Sequence, residues 1–516
     1  MKISDFKSER DRRIAAGLQY YDEYEQAKIA GLDADEVREQ LVKMHLNDEP
    51  PEYYDFVDKS GKIDCTALAN YFRQNERYVF ISGKHEAARA IRYLYDKERG
   101  VYLDVSDIVL QTRIKQYIEA AAPDHVRSRD IQETFYLITR DNCFISADDM
   151  NASESIVNFR NGVLNIETGD FSEHSPEILS SIQINAEYQT GKAYTLDDAP
   201  VFKAYLEKLT EGAEAEKKQA LLLEYMGACI SNVAGYRFKK CLFLKGEGDS
   251  GKSQFLKLIS SILGEGNSQA VDFSGLSDRF TAASYYDKRF IFTGDAEFDS
   301  KKSNKRFMEI TGGDAIRVEE KGMKEFTAHC KGMMLFTSNY LPTWSGNKSA
   351  AAYNRILVVV CDNVIPKEKQ DVHLFEKMMQ ERNAIVYVAL QHLKSAIKRG
   401  YRFTITTESQ TELQKLQKNN QQEIAFFDEC CMTMREAGKQ VKTLKTTVHN
   451  AYKQWFNENY PDSKCITRGF AAEIARYLGR NEDDIQVKIN GYWYYTFSLT
   501  QETKERFNVF DTVKDK

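Results

Sequence analysis

The sequence predicts an α/β fold built on a largely parallel sheet, with a mixed α/β or helical region before it and a winged-helix-like module after it. Three observations carry this. Four short apolar runs, Cys241–Leu244, Phe290–Thr293, Met333–Thr337 and Ile356–Cys361, alternate with helix-length segments, the pattern of strands covered on both faces by crossover helices. A glycine-rich run joins the first of these strands directly to a helix. Near the C-terminus, two helical stretches precede a pair of strand-like runs joined by Asn490-Gly491, the signature of a type I′ hairpin turn.

In chain order, residues 1–52 read as a charged helical segment, with Val37, Leu41 and Met44 at helical spacing and a linker at 48–51. Residues 53–235 mix helices such as Ile108–Ala120 with strands such as Val163–Ile166, which leads into a Thr168-Gly169 turn. Residues 236–400 hold the alternating strands and close on a helical stretch, Val372–Arg399. A helical connector spans 401–440, including Gln410–Met434. In 441–516, Val448, Tyr452, Trp455 and Phe456 share one face of a helix over Thr447–Asn459, and Thr467 can cap a second helix that stops at Gly479. Ile485–Ile489 and Tyr492–Leu499 are the hairpin strands. Helices followed by a hairpin is the order of a winged helix; a generic α+β cap is the alternative.

Composition narrows the function classes. At 516 residues the chain holds about three domains. A formal charge of −6 excludes a wholly basic nucleic-acid coat and leaves room for a basic channel on an acidic body. The charged N-terminus has no apolar core, so no signal peptide is expected. The longest aliphatic run, Ile356–Cys361, is far short of the roughly 20 residues of a membrane span. Nine scattered cysteines lack zinc-type spacing and fit a reducing compartment. The expectation is a soluble protein of the cytoplasm, bacterial by preference, with no membrane partner.

The chemistry starts at Gly246-Glu247-Gly248-Asp249-Ser250-Gly251-Lys252-Ser253, which fits G-x-x-x-x-G-K-[ST] between a strand and a helix. Glycines let backbone N–H groups close around phosphates at a helix N-terminus. Lys252 can neutralise the β/γ-phosphates and Ser253 can ligate Mg²⁺, so ATP and Mg²⁺ are the expected cofactors. Downstream, Phe290–Thr293 ends in Gly294-Asp295-Ala296-Glu297. Asp295 is assigned to the metal and Glu297 to the attacking water, with the reverse assignment open. Asn339, past the third strand, could bond that water or the γ-phosphate, and Arg355, before the fourth, could supply transition-state charge. Taken singly, Ser-Asn is an ordinary turn and a lone arginine an ordinary surface residue; their order raises both.

That order resembles the phage/plasmid primase–helicase family, the superfamily 3 group that includes the helicase half of poxvirus-type primases. The resemblance covers roughly residues 60–500 and rests on four stretches. They are Asn158-Phe-Arg-Asn161-Gly162 leading to Thr168-Gly169 and His174-Ser175-Pro176; the glycine loop; Thr311-Gly312-Gly313-Asp314-Ala-Ile-Arg317 with Lys321 and Phe336–Pro342; and Asn354-Arg355-Ile356. It implies a helicase-associated domain over 53–235 and an AAA+-type ATPase core over 236–400. It also implies a homo-oligomeric ring, usually hexameric, with ATP between subunits, Arg355 as the finger, Asn339 as the sensor, and 3′→5′ movement on single-stranded DNA. Many relatives carry Arg-Arg where this chain has Asn354-Arg355, and the primase domain of many relatives has no room before Tyr53.

Ala315–Glu320 and Glu325–Cys330 flank Lys321-Gly322-Met323-Lys324 as a hairpin with a basic tip. Lys321 and Lys324, with Arg317, are the expected DNA contacts, made to phosphates and so without sequence readout. Lys301, Lys302, Lys305 and Arg306 form a second basic run. In the C-terminal module Lys439, Lys442, Lys445, Arg468, Arg476 and Lys488 could bind duplex DNA, against the dilution of Glu473, Glu482, Asp483 and Asp484. The expectation is an ATP-driven replicative helicase of a phage, plasmid or other mobile element, acting on single-stranded and forked duplex DNA. A separate primase, initiator or loader is a further partner. An ATP-gated origin-melting initiator or loader and a nucleotide switch controlling a protein partner are the alternatives.

Overall fold

The computed structural model describes residues 54–58, 60–81, 91–140, 144–146, 148–264, 266–296, 303–319, 325–342, 350–420, 422–433, 442–461, 465 and 467–510. The helix expected near residue 40, the linker at 48–51, and Glu297, Lys301, Lys302, Lys321, Lys324 and Lys439 lie outside them.

Helix α1 (Cys65–Asn75) starts at Asp64, whose carboxylate accepts from the N–H groups of Thr66 and Ala67. Strands β1 (Tyr78–Ile81), β2 (Ile91–Asp96), β3 (Val101–Asp104) and β4 (Phe144–Ile145) form a sheet in the order β3-β2-β1-β4. Helices α2 (Asp107–Ala121) and α3 (Ser128–Ile138) share its core of Phe56, Phe72, Phe80 and Leu94. A second, antiparallel sheet joins β5 (Ile156–Phe159), β6 (Gly162–Asn165) and β7 (Phe171–Ser172). The Asn158–Gly162 stretch is its hairpin, and its residues act as a clasp. Asn158 donates to Gly100 O at 2.9 Å, and His174 Nε2 lies 3.1 Å from Asn158 Oδ1 and 2.9 Å from Phe159 O. A side chain at Gly162 would meet Ser172 O at 2.5 Å.

After α4 (Pro200–Leu209) and α5 (Ala215–Ile230), a five-stranded parallel sheet forms from β8 (Cys241–Lys245), β9 (Ser268–Ala270), β10 (Phe290–Thr293), β13 (Met333–Ser338) and β14 (Ile356–Val360). Its order is β14-β8-β13-β10-β9, and all four pairings are parallel. The four expected strands are present; β9 is an addition. Helix α6 (Lys252–Leu263) buries Phe255, Ile259 and Ile262 and stops at Gly264, φ 82°. Outside this sheet, α7 (Lys305–Gly312) leads into an antiparallel hairpin of β11 (Ala315–Val318) and β12 (Phe326–His329). Arg289, buried at the start of β10, donates to the carbonyls of Lys331, Ala228 and Val233 at 2.8, 3.2 and 2.6 Å. Burial among these neutral groups depresses its pKa to about 10.

The stretch expected as one helix from Val372 is two, Leu374–Gln380 and α8 (Arg382–Lys398), because Glu381 between them turns to cap α4. Helix α8 lies along α5, where a Cβ on Gly227 would come within 2.4 Å of Ala389 O. Glu224 of α5, 2% exposed, accepts from Arg399, Thr404 N and Thr404 Oγ1, each at 2.7 Å. The connector is likewise two helices, α9 (Thr407–Asn420) and α10 (Gln422–Cys430). Ser409 of α9 accepts from Val358 N at 2.9 Å, which covers the open edge of β14.

The C-terminal module contains β15 (Cys431–Met432), β16 (Thr443–Leu444), α11 (Lys445–Asn459), α12 (Phe470–Tyr477), β17 (Gln486–Ile489), β18 (Tyr492–Tyr495) and β19 (Ser498–Leu499). The order β16-β18-β17 is antiparallel throughout. Val448, Tyr452, Trp455 and Phe456 of α11 pack on Phe426, Phe470, Ile474 and Tyr495. Two expectations are corrected. Gly469, φ 88°, and not Thr467, occupies the N-cap of α12, and Thr467 supplies only its carbonyl to Phe470 N. The strand expected over Tyr492–Leu499 breaks after Tyr495: Phe497 enters the core and Ser498–Leu499 pairs with Cys431–Met432 in another sheet.

Candidate nucleotide site

Strand β8 delivers the chain to the glycine loop at its C-terminal end, and α6 begins at Lys252. Gly246 lies against the backbone just after β14: a Cβ there would stand 2.1 Å from Cys361 O. Gly251, φ 89°, turns the loop into α6 in a conformation that glycine adopts without strain. The loop is fastened on three sides. Gly246 N donates to Ser338 O at 3.2 Å, Ile365 N donates to Asp249 O at 3.0 Å, and the Tyr205 hydroxyl donates to Gly251 O at 2.9 Å. Burial pushes the Tyr205 phenol well up, which keeps it a donor.

Lys252 is 5% exposed and donates to Gly246 O at 2.8 Å, Glu247 O at 2.5 Å and Ser250 Oγ at 3.0 Å. Among the described residues no carboxylate pairs with it. A buried ammonium held by neutral oxygens at a helix N-terminus is a receptor for an anion.

Asp295 follows β10 with φ 54°. Its N–H donates to Thr337 Oγ1 at 3.1 Å, and Ala296 N donates to Thr337 O at 2.8 Å. Since β13 lies between β8 and β10, the glycine loop and the acidic loop hang from adjacent residues, Ser338 and Thr337. Asn339 comes next in the chain and is exposed. Ser253 and Asp295 are both exposed on the cleft, and a hydroxyl with a carboxylate is a donor set that suits a hard cation such as Mg²⁺.

These residues meet in a cleft of about 820 Å³. Gly248 to Gln254 and Asp295 line its polar side; Pro200, Val201, Ala204, Val372 and Leu374 line an apolar side, with Lys208, Lys369 and Asp371 at the rim. A crevice outside the carboxyl ends of parallel strands is where open α/β sheets bind ligands. Sequence reasoning missed the apolar wall and Tyr205, for which no local motif exists; the nearest signal is the Pro200 helix start.

Two family models match parts of the chain. Residues 65–211 match the family described as "D5 N terminal like", and residues 244–355 match a family of unknown function, DUF5906. Each match spans part of the chain, and the first is consistent with the resemblance to the phage/plasmid primase–helicase family. Among solved structures it is similar to the A form apo structure of the NrS-1 C-terminal region, at 12% identity over 84% of this chain and 100% of that one, TM-score 0.46. A second apo structure of that region matches at 12% identity over 84% and 99%, TM-score 0.43.

The remaining expected residues lie apart from the cleft. Arg355 precedes β14, at the opposite end of the strand from Cys361 and the glycine loop. Its Nη1 donates to Met308 O at 2.9 Å and Thr311 Oγ1 at 2.8 Å, at the end of α7. Burial lowers its pKa and Asp314 opposes the shift. Arg317 is exposed on β11 and pairs with Glu325 across the hairpin. Asp148 anchors the hairpin base, accepting from His329 N at 3.2 Å with His329 Nδ1 2.9 Å away. The structure therefore brings together the glycine loop, Lys252, Ser253 and Asp295, with Asn339 at their edge, and holds Arg355 and Arg317 elsewhere.

Proposed function

We propose that this chain is the ATP-hydrolysing subunit of a ring-shaped DNA helicase serving replication of a phage, plasmid or other mobile element. The observation that carries the reading is the convergence of the glycine loop, Lys252, Ser253 and Asp295 in one cleft. The order β14-β8-β13-β10-β9 supports an AAA+-type core over 236–400, and β16-β18-β17 with α11 and α12 between β16 and β17 supports a winged helix over 441–516.

Mg²⁺–ATP, when bound, supplies the phosphoryl bond and the metal's Lewis acidity. Lys252 would exchange its loop carbonyls for phosphate oxygens, a replacement that gains charge complementarity. Ser253 and Asp295 would hold the metal, Glu297 would orient water, and Asn339 would sense the γ-phosphate. Arg355 cannot serve the cleft of its own chain from the far end of β14, which supports a role at the site of a neighbour. The hairpin residues Arg317, Lys321 and Lys324 would hold single-stranded DNA.

Steady-state hydrolysis with and without oligo(dT) tests this. DNA-stimulated turnover is expected, lost in Lys252→Ala and in Arg355→Ala. Mixing the two inactive variants should restore part of the rate, because mixed interfaces contain one intact site. An Arg355→Ala protein that hydrolyses ATP at the wild-type rate, or a monomer at full speed, would overturn the ring. DNA-stimulated hydrolysis without displacement of a strand from a tailed duplex would favour the origin-melting initiator instead.

A further inference from the structure

The hairpin of β17 and β18 carries a surface that the nucleotide chemistry does not use. Its turn, Asn490-Gly491, has φ of 48° and 85°, the tight I′ geometry that matches the twist of a two-stranded ribbon. Beyond that turn Tyr492 and Trp493 are 54% and 47% exposed. Among the described residues neither ring packs against another aromatic ring. Large rings left in water at the end of a narrow ribbon cost solvation free energy, so a ligand that covers them is favoured.

The charges around them identify the ligand. Lys488 stands opposite Trp493 in the register, and its ammonium lies 6.0 Å from the indole centroid. One pleat nearer the module, Lys445 lies 5.6 Å from the Tyr495 ring and donates to Gln486 Oε1 at 2.7 Å. His449, one turn along α11 from Lys445, lies 2.9 Å from the Tyr495 hydroxyl, and Lys453 follows one turn later. Burial chiefly depresses His449, and the two lysines add to it. Lys453, Lys445 and Lys488 thus make a cationic track that ends at an open indole. Glu482, which accepts from Gln486 Nε2 at 2.9 Å, is a carboxylate beside it, and Asp483 and Asp484 follow in the same turn. Protein interfaces are depleted of lysine at their centres, and a two-stranded ribbon offers little area to a protein partner. A polyanion whose flat bases can stack matches both features.

We propose that this hairpin is a single-stranded DNA platform, with Trp493 stacking on a nucleobase and Lys488 and Lys445 holding the phosphates beside it. The site is separate from the hairpin at 315–329 and does not depend on ATP.

The test uses the full chain without nucleotide. The sequence has three tryptophans, Trp344, Trp455 and Trp493, and Trp455 is buried at 3% exposure. Oligo(dT) should quench tryptophan emission, and Trp493→Phe should abolish most of that quenching. By anisotropy of a labelled oligonucleotide, Trp493→Ala should weaken binding about tenfold, in line with the loss of one stacked base, while Trp493→Phe keeps most of the affinity. Lys488→Ala should lower the salt dependence of binding by about one phosphate contact. Unchanged affinity in Trp493→Ala would overturn the platform, as would an equal loss for blunt duplex, in which bases are not free to stack. Basal ATP hydrolysis should be the same in all three variants. Failure of wild-type hydrolysis with normal quenching would count against the motor and not against the platform.

Discussion

Replacing Gly246 by alanine tests the most constrained contact of the nucleotide cleft. The new Cβ would stand 2.1 Å from Cys361 O and 2.7 Å from Cys361 C, both backbone atoms that no rotamer can clear. Ordinary contact requires a retreat of about 1.3 Å. Such a movement breaks the 3.2 Å bond from Gly246 N to Ser338 O or the 2.7 Å bond from Cys361 N to Lys245 O. Overpacking of this kind costs about 1–3 kcal/mol, and a loop displaced by about 1 Å costs about 100-fold in turnover. Gly248→Ala is the control: nothing lies within 4 Å of the Cβ it would add and its φ is not positive, so its stability should change by under about 0.5 kcal/mol. Calorimetric titration with ATP, hydrolysis rates and thermal melts of the three proteins read the outcome. A Gly246→Ala protein within twofold of wild type, or a Gly248→Ala protein that loses as much, would refute the packing argument.

Tyr205→Phe removes the hydroxyl that holds Gly251 O at 2.9 Å; a loss of about 1 kcal/mol predicts about fivefold weaker nucleotide binding by calorimetry. Glu224→Leu strips Arg399 and Thr404 of a buried partner and should cost about 2–4 kcal/mol, read as a lower melting temperature. His449 is held down to about 4 by burial, with Lys445 and Lys453 adding to it. The unfolded chain therefore binds its proton first on acidification, so stability is full above about pH 6.5 and falls between 6.5 and 4. Melts across that range should show this slope in the wild type and a flatter one in His449→Gln.

How far the fold was legible depended on whether burial forced a residue type. Strands β8, β10, β13 and β14 stand out because a strand covered on both faces must be apolar without interruption; Cys241 to Leu244 are at most 1% exposed. Strand β9, Ser268-Gln269-Ala270, is held at the edge by backbone bonds to β10 and a hydroxyl contact from Ser268 to Ser260 of α6, and its short polar run carries no apolar signal. The glycine loop was legible for a similar reason, since Gly246 and Gly251 fill positions that side chains would strain. Tyr205 and the apolar side of the cleft were not, because their role arises from the docking of α4, which Glu381 fixes from 179 residues away. Asn490-Gly491 announced its hairpin, whereas the break after Tyr495 follows from a pairing with Cys431 and Met432 that no local pattern records.

Strand β14 has one end at each of the two sites proposed above. Arg355, at its start, grips the last turn of α7, from which the chain enters the basic hairpin. Cys361, past its finish, presses on Gly246. Between them run five residues bonded to β8 along their whole length, a rod too stiff to stretch. A tug on the hairpin root that carries Arg355 with it must slide this rod or tilt it, and either motion arrives at the phosphate loop as a push on its tightest point.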